Sequence, residues 1–260
     1  MRRRSALAGV FDKIFVELHK AYENVDYEFS TNGEAACLRT LAESTDTRSV
    51  FDVGANVGDW SATAVRIFPQ ATVHAFEIVP DTFERLAENS RDEARIVPHN
   101  FGLSDAEGTT KVYFAPELSH VATCVPGFSD QFHDCVTREV DAAVTTGDTF
   151  CAENGIAKID FLKIDVEGYE DRVLKGFEGM LSRGAIDVIQ FEYGYINIDT
   201  HFLLRDFYTY LEGFGMRLGK IYPTNVDFRD YRHVDEDFYG PNYLAVRSSC
   251  AALIEALGRR

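Results

Sequence analysis

Strand-like and helix-like segments alternate between Val50 and Tyr193, and this alternation constrains the fold more than any other feature. Short apolar runs such as "SVFDV", "ATVHAF" and "IDFLKIDV" are typical of buried strands, whereas "DWSATAVRIF" and "PDTFERLAENS" have helical spacing. Strands that alternate with helices form right-handed βαβ units, which place helices on both faces of a parallel sheet. The sequence therefore predicts an α/β protein with a doubly wound, mostly parallel, Rossmann-like sheet.

Two regions depart from the alternation. The segments "GFGMRLGKIYPT" and "YLAVR" are interpreted as a strand pair, which predicts an antiparallel C-terminal strand in the sheet. Pro116 to Thr146 is turn-rich and contains His120 and His133, and we expect an insertion or a lid over the functional site.

The N-terminal segment has apolar residues at helical spacing from Leu7 to Leu18, which indicates an amphipathic helix. No linker or internal repeat follows it. The sequence predicts an N-terminal helical extension over residues 1–30 and one domain over residues 31–260.

Composition narrows the class of function. The 260 residues are 45% hydrophobic, which is enough for a large core, and the net charge is −16. Such a charge argues against a nucleic-acid partner, because binding to phosphates needs a basic surface, and against an anionic membrane surface. No apolar run reaches the length of a membrane span. We expect a cytoplasmic protein without stable membrane insertion.

Five scattered cysteines favour free thiols over a disulfide framework. His120, Cys124, His133 and Cys135 do not have the spacing of a standard zinc site.

The string "FDVGANVGDW" places Gly54, Asn56 and Gly58 directly after the first predicted strand. A glycine turn between a strand and a helix is typical of nucleotide sites. The third glycine of a dinucleotide motif is expected at position 59, where Asp59 would instead repel a pyrophosphate. S-adenosylmethionine carries a sulfonium and an ammonium, so that Asp59, and Asp52 beneath the loop, favour this cofactor. The simpler alternative is a pair of ordinary turn glycines.

Ligands of parallel α/β sheets bind beyond the carboxyl ends of the strands. Glu77 ends the second predicted strand, about 20 residues after the glycine loop, where an acid binds ribose hydroxyls in nucleotide folds. Asn100 and Ser104 follow the third strand. The predicted cofactor-binding residues are Asp52, Gly54, Asn56, Gly58, Glu77, Asn100, Ser104 and Asp165.

Four segments together resemble the FkbM family of S-adenosylmethionine-dependent O-methyltransferases: "FDVGANVGDWS", "HAFEIVPDTFERL", "NFGLSD" and "DFLKIDVEGYEDRVLKG". The resemblance covers residues 31–247 and is most specific in "LKIDVEGYE"; "NGE" at Asn32 to Glu34 and "PNYLAV" near the C-terminus are also similar. It implies a class I methyltransferase fold, S-adenosylmethionine as cofactor, and a hydroxylated acceptor such as a sugar, polyketide or glycolipid. The second strand reads "FEI" where the family often has "FEP", but Glu77 is retained.

Asp165 and Glu192 end two strands that are expected to be neighbours. An alcohol is a weak nucleophile, so methyl transfer benefits from a base or a metal. The two acids are therefore candidates either for Mg²⁺ ligands or for a direct base, and His120 is a rival base. A plain structural role is also open for the neighbouring Glu167, which could start the next helix.

Three functions follow as hypotheses. The first is an O-methyltransferase that acts on a hydroxylated small molecule, preferentially a sugar or glycoside. The second is a non-catalytic S-adenosylmethionine-binding protein. The third, an NAD-dependent oxidoreductase, is disfavoured by Asp59. The sequence does not identify the acceptor or the oligomeric state.

Overall fold

A computed structural model describes residues 6–115, 118–125, 138–239 and 242–259. The helices are α1 (Ala6–Tyr22), α2 (Glu34–Ser44), α3 (Asp59–Ile67), α4 (Pro80–Ser90), α5 (Gly147–Glu153), α6 (Glu170–Gly176), α7 (Glu178–Ser182), α8 (Ile196–Thr200), α9 (Leu204–Gly213) and α10 (Ala251–Gly258). The strands are β1 (Ser49–Val53), β2 (Thr72–Phe76), β3 (Ile96–His99), β4 (Gly102–Leu103), β5 (Gly108–Ala115), β6 (Leu118–Thr123), β7 (Arg138–Thr145), β8 (Ile159–Ile164), β9 (Ile186–Glu192), β10 (Met216–Ile221), β11 (Val226–Phe228) and β12 (Asn242–Arg247).

The central sheet has eight strands in the order β11-β10-β12-β9-β8-β1-β2-β3. Strands β3, β2, β1, β8 and β9 pair in parallel, so their carboxyl ends meet at one edge. Strand β12 runs antiparallel to both β9 and β10. This topology confirms the predicted doubly wound sheet with an antiparallel C-terminal strand.

Helices cover both faces of this sheet, because successive residues of each strand point to opposite sides. In β1, Phe51 and Val53 pack in one apolar cluster with residues of α5, α6, α7 and α9. Val50 packs on the other face with residues of α2, α3, α4 and α10. The strands are thus buried on both faces, as their nearly continuous apolar sequences require.

A second sheet, with the order β4-β7-β5-β6, was not predicted. The third strand of the central sheet, β3, ends at His99 before Asn100, and Gly102–Leu103 pairs with β7 of the second sheet. In β5, the buried Val112 and Phe114 alternate with more exposed neighbours. Such alternation is typical of a sheet with one covered face, and it is the sequence signal from which a separate layer could have been predicted.

Among the described helices, none is long and apolar enough to cross a membrane. Helix α1 lies within the stretch expected to form a helical extension. The division into that extension and one domain, and the cytoplasmic location, stay predictions.

Candidate active site

A cavity of about 700 Å³ opens at the carboxyl edge of the central sheet and is lined from both sheets. Five of the predicted site residues line it: Gly54, Asn56, Glu77, Asp165 and Glu192. Strands β1, β2, β8 and β9 deliver these residues, or the loops that carry them, to one place because the strands are parallel neighbours. The apolar wall includes Leu103, Val112, Ala122 and Val144 of the second sheet.

The glycine loop is tied to the end of β2 by its own backbone. The N–H groups of Gly54 and Ala55 donate to the carbonyl oxygen of Phe76 at 3.0 and 2.9 Å. The N–H of Asn56 donates to Glu77 Oε2 at 2.9 Å. Three successive donors are thus used within the protein, whereas a pyrophosphate site leaves such N–H groups pointing at the ligand. The loop is therefore poorly suited to a dinucleotide.

The two glycines of the loop are required for different structural reasons. Gly54 has φ +85°, and a Cβ there would lie 1.8 Å from the carbonyl oxygen of Asp165, so only glycine permits this close approach of two loops. Gly58 has φ +91°, is the residue before α3, and does not line the cavity among the described residues. The prediction that Gly58 contacts the cofactor is not supported by its position.

Glu77 lies at the cavity wall and is 5% exposed. Its Oε1 accepts the N–H of Val79 at 2.8 Å, while Oε2 accepts that of Asn56. Burial raises the pKa of Glu77 to about 7, against the opposing effect of these two hydrogen bonds. The carboxyl group is therefore fixed in position and retains lone pairs for a ligand hydroxyl.

Three other predicted cofactor residues support the site from outside the cavity. Asp52 is fully buried, and Ser61 Oγ donates to its Oδ2 at 2.6 Å. Asn100 donates its Nδ2 to the backbone oxygen of Glu77 at 3.0 Å, and Ser104 Oγ lies 3.1 Å from Asp105 Oδ1. Asp52, Asn100 and Ser104 do not line the cavity among the described residues, and their direct contact with a cofactor stays a prediction.

Lys163 forms ion pairs with the buried Asp52 and with Asp165 of the cavity wall. Its Nζ lies 2.9 Å from Asp165 Oδ2 and 3.4 Å from Asp52 Oδ1, and its side chain is 8% exposed. Burial alone would lower the pKa of Lys163, but the charges of Asp165 and Asp52 raise it above its ordinary value. The ammonium therefore stays charged and balances two carboxylates.

The carboxylate oxygens of Asp165 and Glu192 lie within 4.8 Å of each other, as expected for acids at the ends of neighbouring strands. Burial would raise the pKa of Asp165, but Lys163 holds it below the ordinary value. Burial, and then the charge of Asp165, raises the pKa of Glu192 well above its ordinary value. The two shifts are opposite: Asp165 is favoured in its ionised form, and Glu192 holds its proton more tightly than an ordinary carboxyl group.

The sequence did not identify Glu34 as a site residue, although it lines the cavity. Three side-chain amides donate to its carboxylate: the neighbouring Asn32 Nδ2 at 2.6 Å, and the distant Gln190 Nε2 at 2.6 Å and Asn242 Nδ2 at 3.0 Å. Burial raises the pKa of Glu34 despite these bonds. The only sequence signal was the family-like "NGE", which carries no information on the distant partners.

Glu167 and Glu170 also line the cavity and were not predicted to do so. Glu167 does not begin the following helix; it has φ +53°, and α6 starts at Glu170. Burial raises the pKa of Glu167 to about 8 and that of Glu170 to about 7. Glu170 accepts the N–H groups of Val166 and Gly168, and so fixes the loop that carries Asp165.

Asp165, Glu167 and Glu192 offer carboxylate oxygens that lie within 4.8 Å of one another. Hard oxygen donors at this spacing suit a hard divalent cation.

The roles predicted for the histidines of the lid stay predictions. His120 belongs to β6, but its side chain lies outside the described part of the structure, as do His133 and Cys135 entirely. The four cysteines that are described are free. Tyr195 lines the cavity, whereas Tyr193 donates its hydroxyl to Glu236 at 2.7 Å and belongs to the core.

Residues 52–218 match the methyltransferase FkbM domain. The hexuronic acid methyltransferase AglP of Haloferax volcanii is 31% identical over 165 residues, 62% of this chain and 64% of that protein. The 31-O-demethyl-FK506 methyltransferase FkbM of Streptomyces tacrolimicus is 32% identical over 155 residues, 50% of this chain and 59% of that protein. These alignments span only about 60% of the relatives' length.

Among solved structures, a methyltransferase FkbM from Methylobacillus flagellatus aligns with a TM-score of 0.48 at 17% identity, over 77% of this chain and 44% of that one. The domain match itself covers more than half of the chain and includes the glycine loop, Glu77, Asp165 and Glu192. The chain belongs to the FkbM family of methyltransferases.

Proposed function

We propose that this protein transfers a methyl group from S-adenosylmethionine to a hydroxyl group of a sugar-containing small molecule. The observation that carries the proposal is an acidic cavity at the carboxyl edge of a methyltransferase-family sheet, lined by Glu77 after β2, Asp165 after β8 and Glu192 at the end of β9. The cavity volume falls within the range of about 300–1,000 Å³ that is usual for ligand sites. Relatives named for a hexuronic acid and for a demethylated FK506 support a hydroxylated acceptor.

The cofactor is assigned by charge and by the available donors. Glu77 is proposed to accept the ribose hydroxyls, with the methionine part against Gly54 and Asn56. Asp165 would attract its cationic groups, and a bound cation would in turn favour the ionised forms of Glu34 and Glu167. The N–H groups of Gly54, Ala55 and Asn56 already donate within the protein, so a pyrophosphate could not use them. S-adenosylmethionine supplies an electrophilic methyl group on its sulfonium. An NAD-dependent oxidoreductase is disfavoured by the same features and by the family.

The protein's task in the transfer is alignment and proton removal. The acceptor hydroxyl must lie in line with the methyl group, and water must be excluded. The ionised Asp165, 41% exposed toward the cavity, is the group placed to accept a hydrogen bond from that hydroxyl. As the methyl group leaves the sulfur and the new C–O bond forms, the hydroxyl proton would pass to the carboxylate of Asp165, beside Glu192.

Binding of Mg²⁺ is an alternative role for the same acids. Asp165, Glu167 and Glu192 have the donor type and spacing for it, and the ion would supply Lewis-acid activation of the hydroxyl. Binding would require Glu192 to lose its proton and would place a second cation near Lys163. The two roles therefore predict different responses to chelation.

The experiment is an assay of S-adenosylhomocysteine release with a panel of sugars and glycosides, with and without EDTA. If the pair acts directly, chelation has no effect and Glu192→Gln lowers kcat by about 10²–10⁴-fold. If Mg²⁺ is needed, EDTA abolishes turnover and excess Mg²⁺ partly restores Glu192→Gln. Absence of release with every acceptor, in a protein that binds S-adenosylmethionine, would favour the non-catalytic alternative. Full activity of both Glu192→Gln and Asp165→Asn would refute the assigned site.

A further inference from the structure

Helix α1 projects from the protein with an uncovered apolar face. Every side chain from residue 10 to residue 19 is exposed. Phe11 is 54% exposed, Phe15 67%, Leu18 61% and Tyr22 75%, and these residues lie on one side of the helix because they are three, four or seven apart. A helix of this length is marginally stable alone in water, and most helices depend on burial of an apolar face. The stripe therefore requires an occupant.

Polar contacts tie the C-terminal end of α1, and the residues that follow it, to the rest of the protein. His19 Nε2 lies 3.8 Å from Asp237 Oδ2, and Lys220 Nζ lies 2.8 Å from Glu23 Oε2. Asn24 Nδ2 then donates to the backbone oxygens of Asn32 and Ile221 at 2.7 and 3.0 Å. These polar contacts fix the base of α1 and leave the stripe facing away from the core.

Charge identifies the occupant. Residues 1–20 contain five lysines or arginines and two acids, a net charge of +3, so the other 240 residues carry −19. Three of the basic residues, Arg2, Arg3 and Arg4, immediately precede the helix in sequence. The acidic body would be repelled by an anionic surface, whereas this segment alone would be attracted to it. Within α1 itself the charges of Asp12 and Glu17 balance those of Lys13 and Lys20, so the positive charge of the segment comes from the three arginines. An amphipathic helix that follows a basic cluster is a usual form of a segment that lies in the lipid interface.

A second copy of the chain fits the stripe less well. The 17 residues of α1 extend for about 25 Å, and a face about 10 Å wide offers on the order of 250 Å². Stable dimers bury about 800 Å² per partner, so that α1 alone is too small.

We propose that α1 docks in the plane of an anionic lipid bilayer through the stripe of Phe11, Phe15, Leu18 and Tyr22. The proposal goes beyond the methyl-transfer function and does not depend on it. One consequence concerns the cavity: the ring of Tyr239 contacts both His19 of α1 and Tyr195 of the cavity wall, with ring centroids 5.4 and 5.8 Å apart. Docking would therefore hold the cavity close to lipid head groups.

The test is co-sedimentation of the full chain with vesicles of phosphatidylcholine alone or mixed with phosphatidylglycerol. We expect binding to the mixed vesicles that weakens as salt is added. The Phe11→Glu/Phe15→Glu variant should bind about 100-fold less, about tenfold for each lost side chain. The matched control is Val234→Glu, which changes an apolar residue that is 74% exposed on the 3-10 helix His233–Asp235 and should bind as the wild type does.

A second variant distinguishes a loss of the lipid contact from a loss of binding that comes only from unfolding of α1. Replacement of Arg2, Arg3 and Arg4 by glutamine leaves the stripe intact and should reduce binding by at least about tenfold, with a weaker salt dependence. Equal binding to both vesicle types, no binding, or unchanged binding of the phenylalanine variant would overturn the proposal. A lipid-free dimer that dissociates in the phenylalanine variant, measured by light scattering, would assign the stripe to a second copy and also overturn it.

Discussion

Replacement of Lys163 by methionine tests the electrostatic basis of the site. Methionine retains most of the apolar stem within β8, so the change chiefly removes the ammonium. Asp52 is 0% exposed and would be left without its ion-pair partner. Removing one partner of a buried ion pair costs about 3–5 kcal/mol, because the remaining charge is buried and uncompensated. Asp165 is 41% exposed and contributes less of this cost.

Urea unfolding measures the effect. Domains of ordinary stability, about 5–15 kcal/mol, tolerate this loss, and the midpoint should fall by roughly 1–2 M. Lys158→Met is the matched control, since Lys158 is 53% exposed and its pairs with Asp160 and Asp187 should contribute only about 0–1 kcal/mol.

A compensating change makes the argument specific to Asp52. The substitution Asp52→Asn removes the buried charge and keeps a side-chain oxygen that can accept the hydroxyl of Ser61. The double variant Lys163→Met/Asp52→Asn should therefore regain at least about half of the lost stability. If Lys163→Met costs no more than Lys158→Met, or if the double variant is less stable than Lys163→Met, the reasoning is refuted.

Two further predictions concern the loop and the buried acids. Gly54→Ala should destabilise the protein by at least about 3 kcal/mol, because its Cβ would overlap the carbonyl group of Asp165. Gly58→Ala should cost about 1–2 kcal/mol, because its Cβ meets only the end of a leucine side chain 2.7 Å away. Equal losses of stability for the two variants in urea unfolding would contradict this prediction. The pKa values of Glu77 and Glu170 are raised from 4.5 to about 7 in the folded chain, which therefore keeps protons that the unfolded chain loses. The free energy of unfolding of the ligand-free protein should thus fall as the pH rises from 4.5 to 7, by up to about 3 kcal/mol for each group. Stability that rises with pH over this window would refute the second prediction.

The sequence predicted the central sheet because its signals are local. The apolar run that becomes β8 predicts a buried parallel strand, and the glycines after β1 predict a tight turn. Neither prediction needs information about distant residues. The same locality made Glu77, Asp165 and Glu192 identifiable, since each ends a strand and parallel strands share one edge.

The parts that were missed depend on long-range contacts. Glu34 receives hydrogen bonds from Gln190 and Asn242, which are 156 and 208 residues away, and no spacing pattern encodes such partners. The second sheet was missed because Gly102–Leu103 is too short a strand to be detected and joins β7 rather than β3. The acidity of Asp52 is visible in the sequence, whereas its pairing with Lys163 is not, and its predicted role toward the cofactor stays a prediction.

Calorimetric titration with S-adenosylmethionine tests the central claim most directly. We predict that the wild type binds S-adenosylmethionine and not NAD, and that Glu77→Ala binds it about 5–150-fold more weakly, equivalent to about 1–3 kcal/mol. Asp81→Ala, which removes a nearby exposed acid, should bind as the wild type does. A folded Glu77→Ala variant with unchanged affinity, or a wild type that binds NAD instead, would contradict the account.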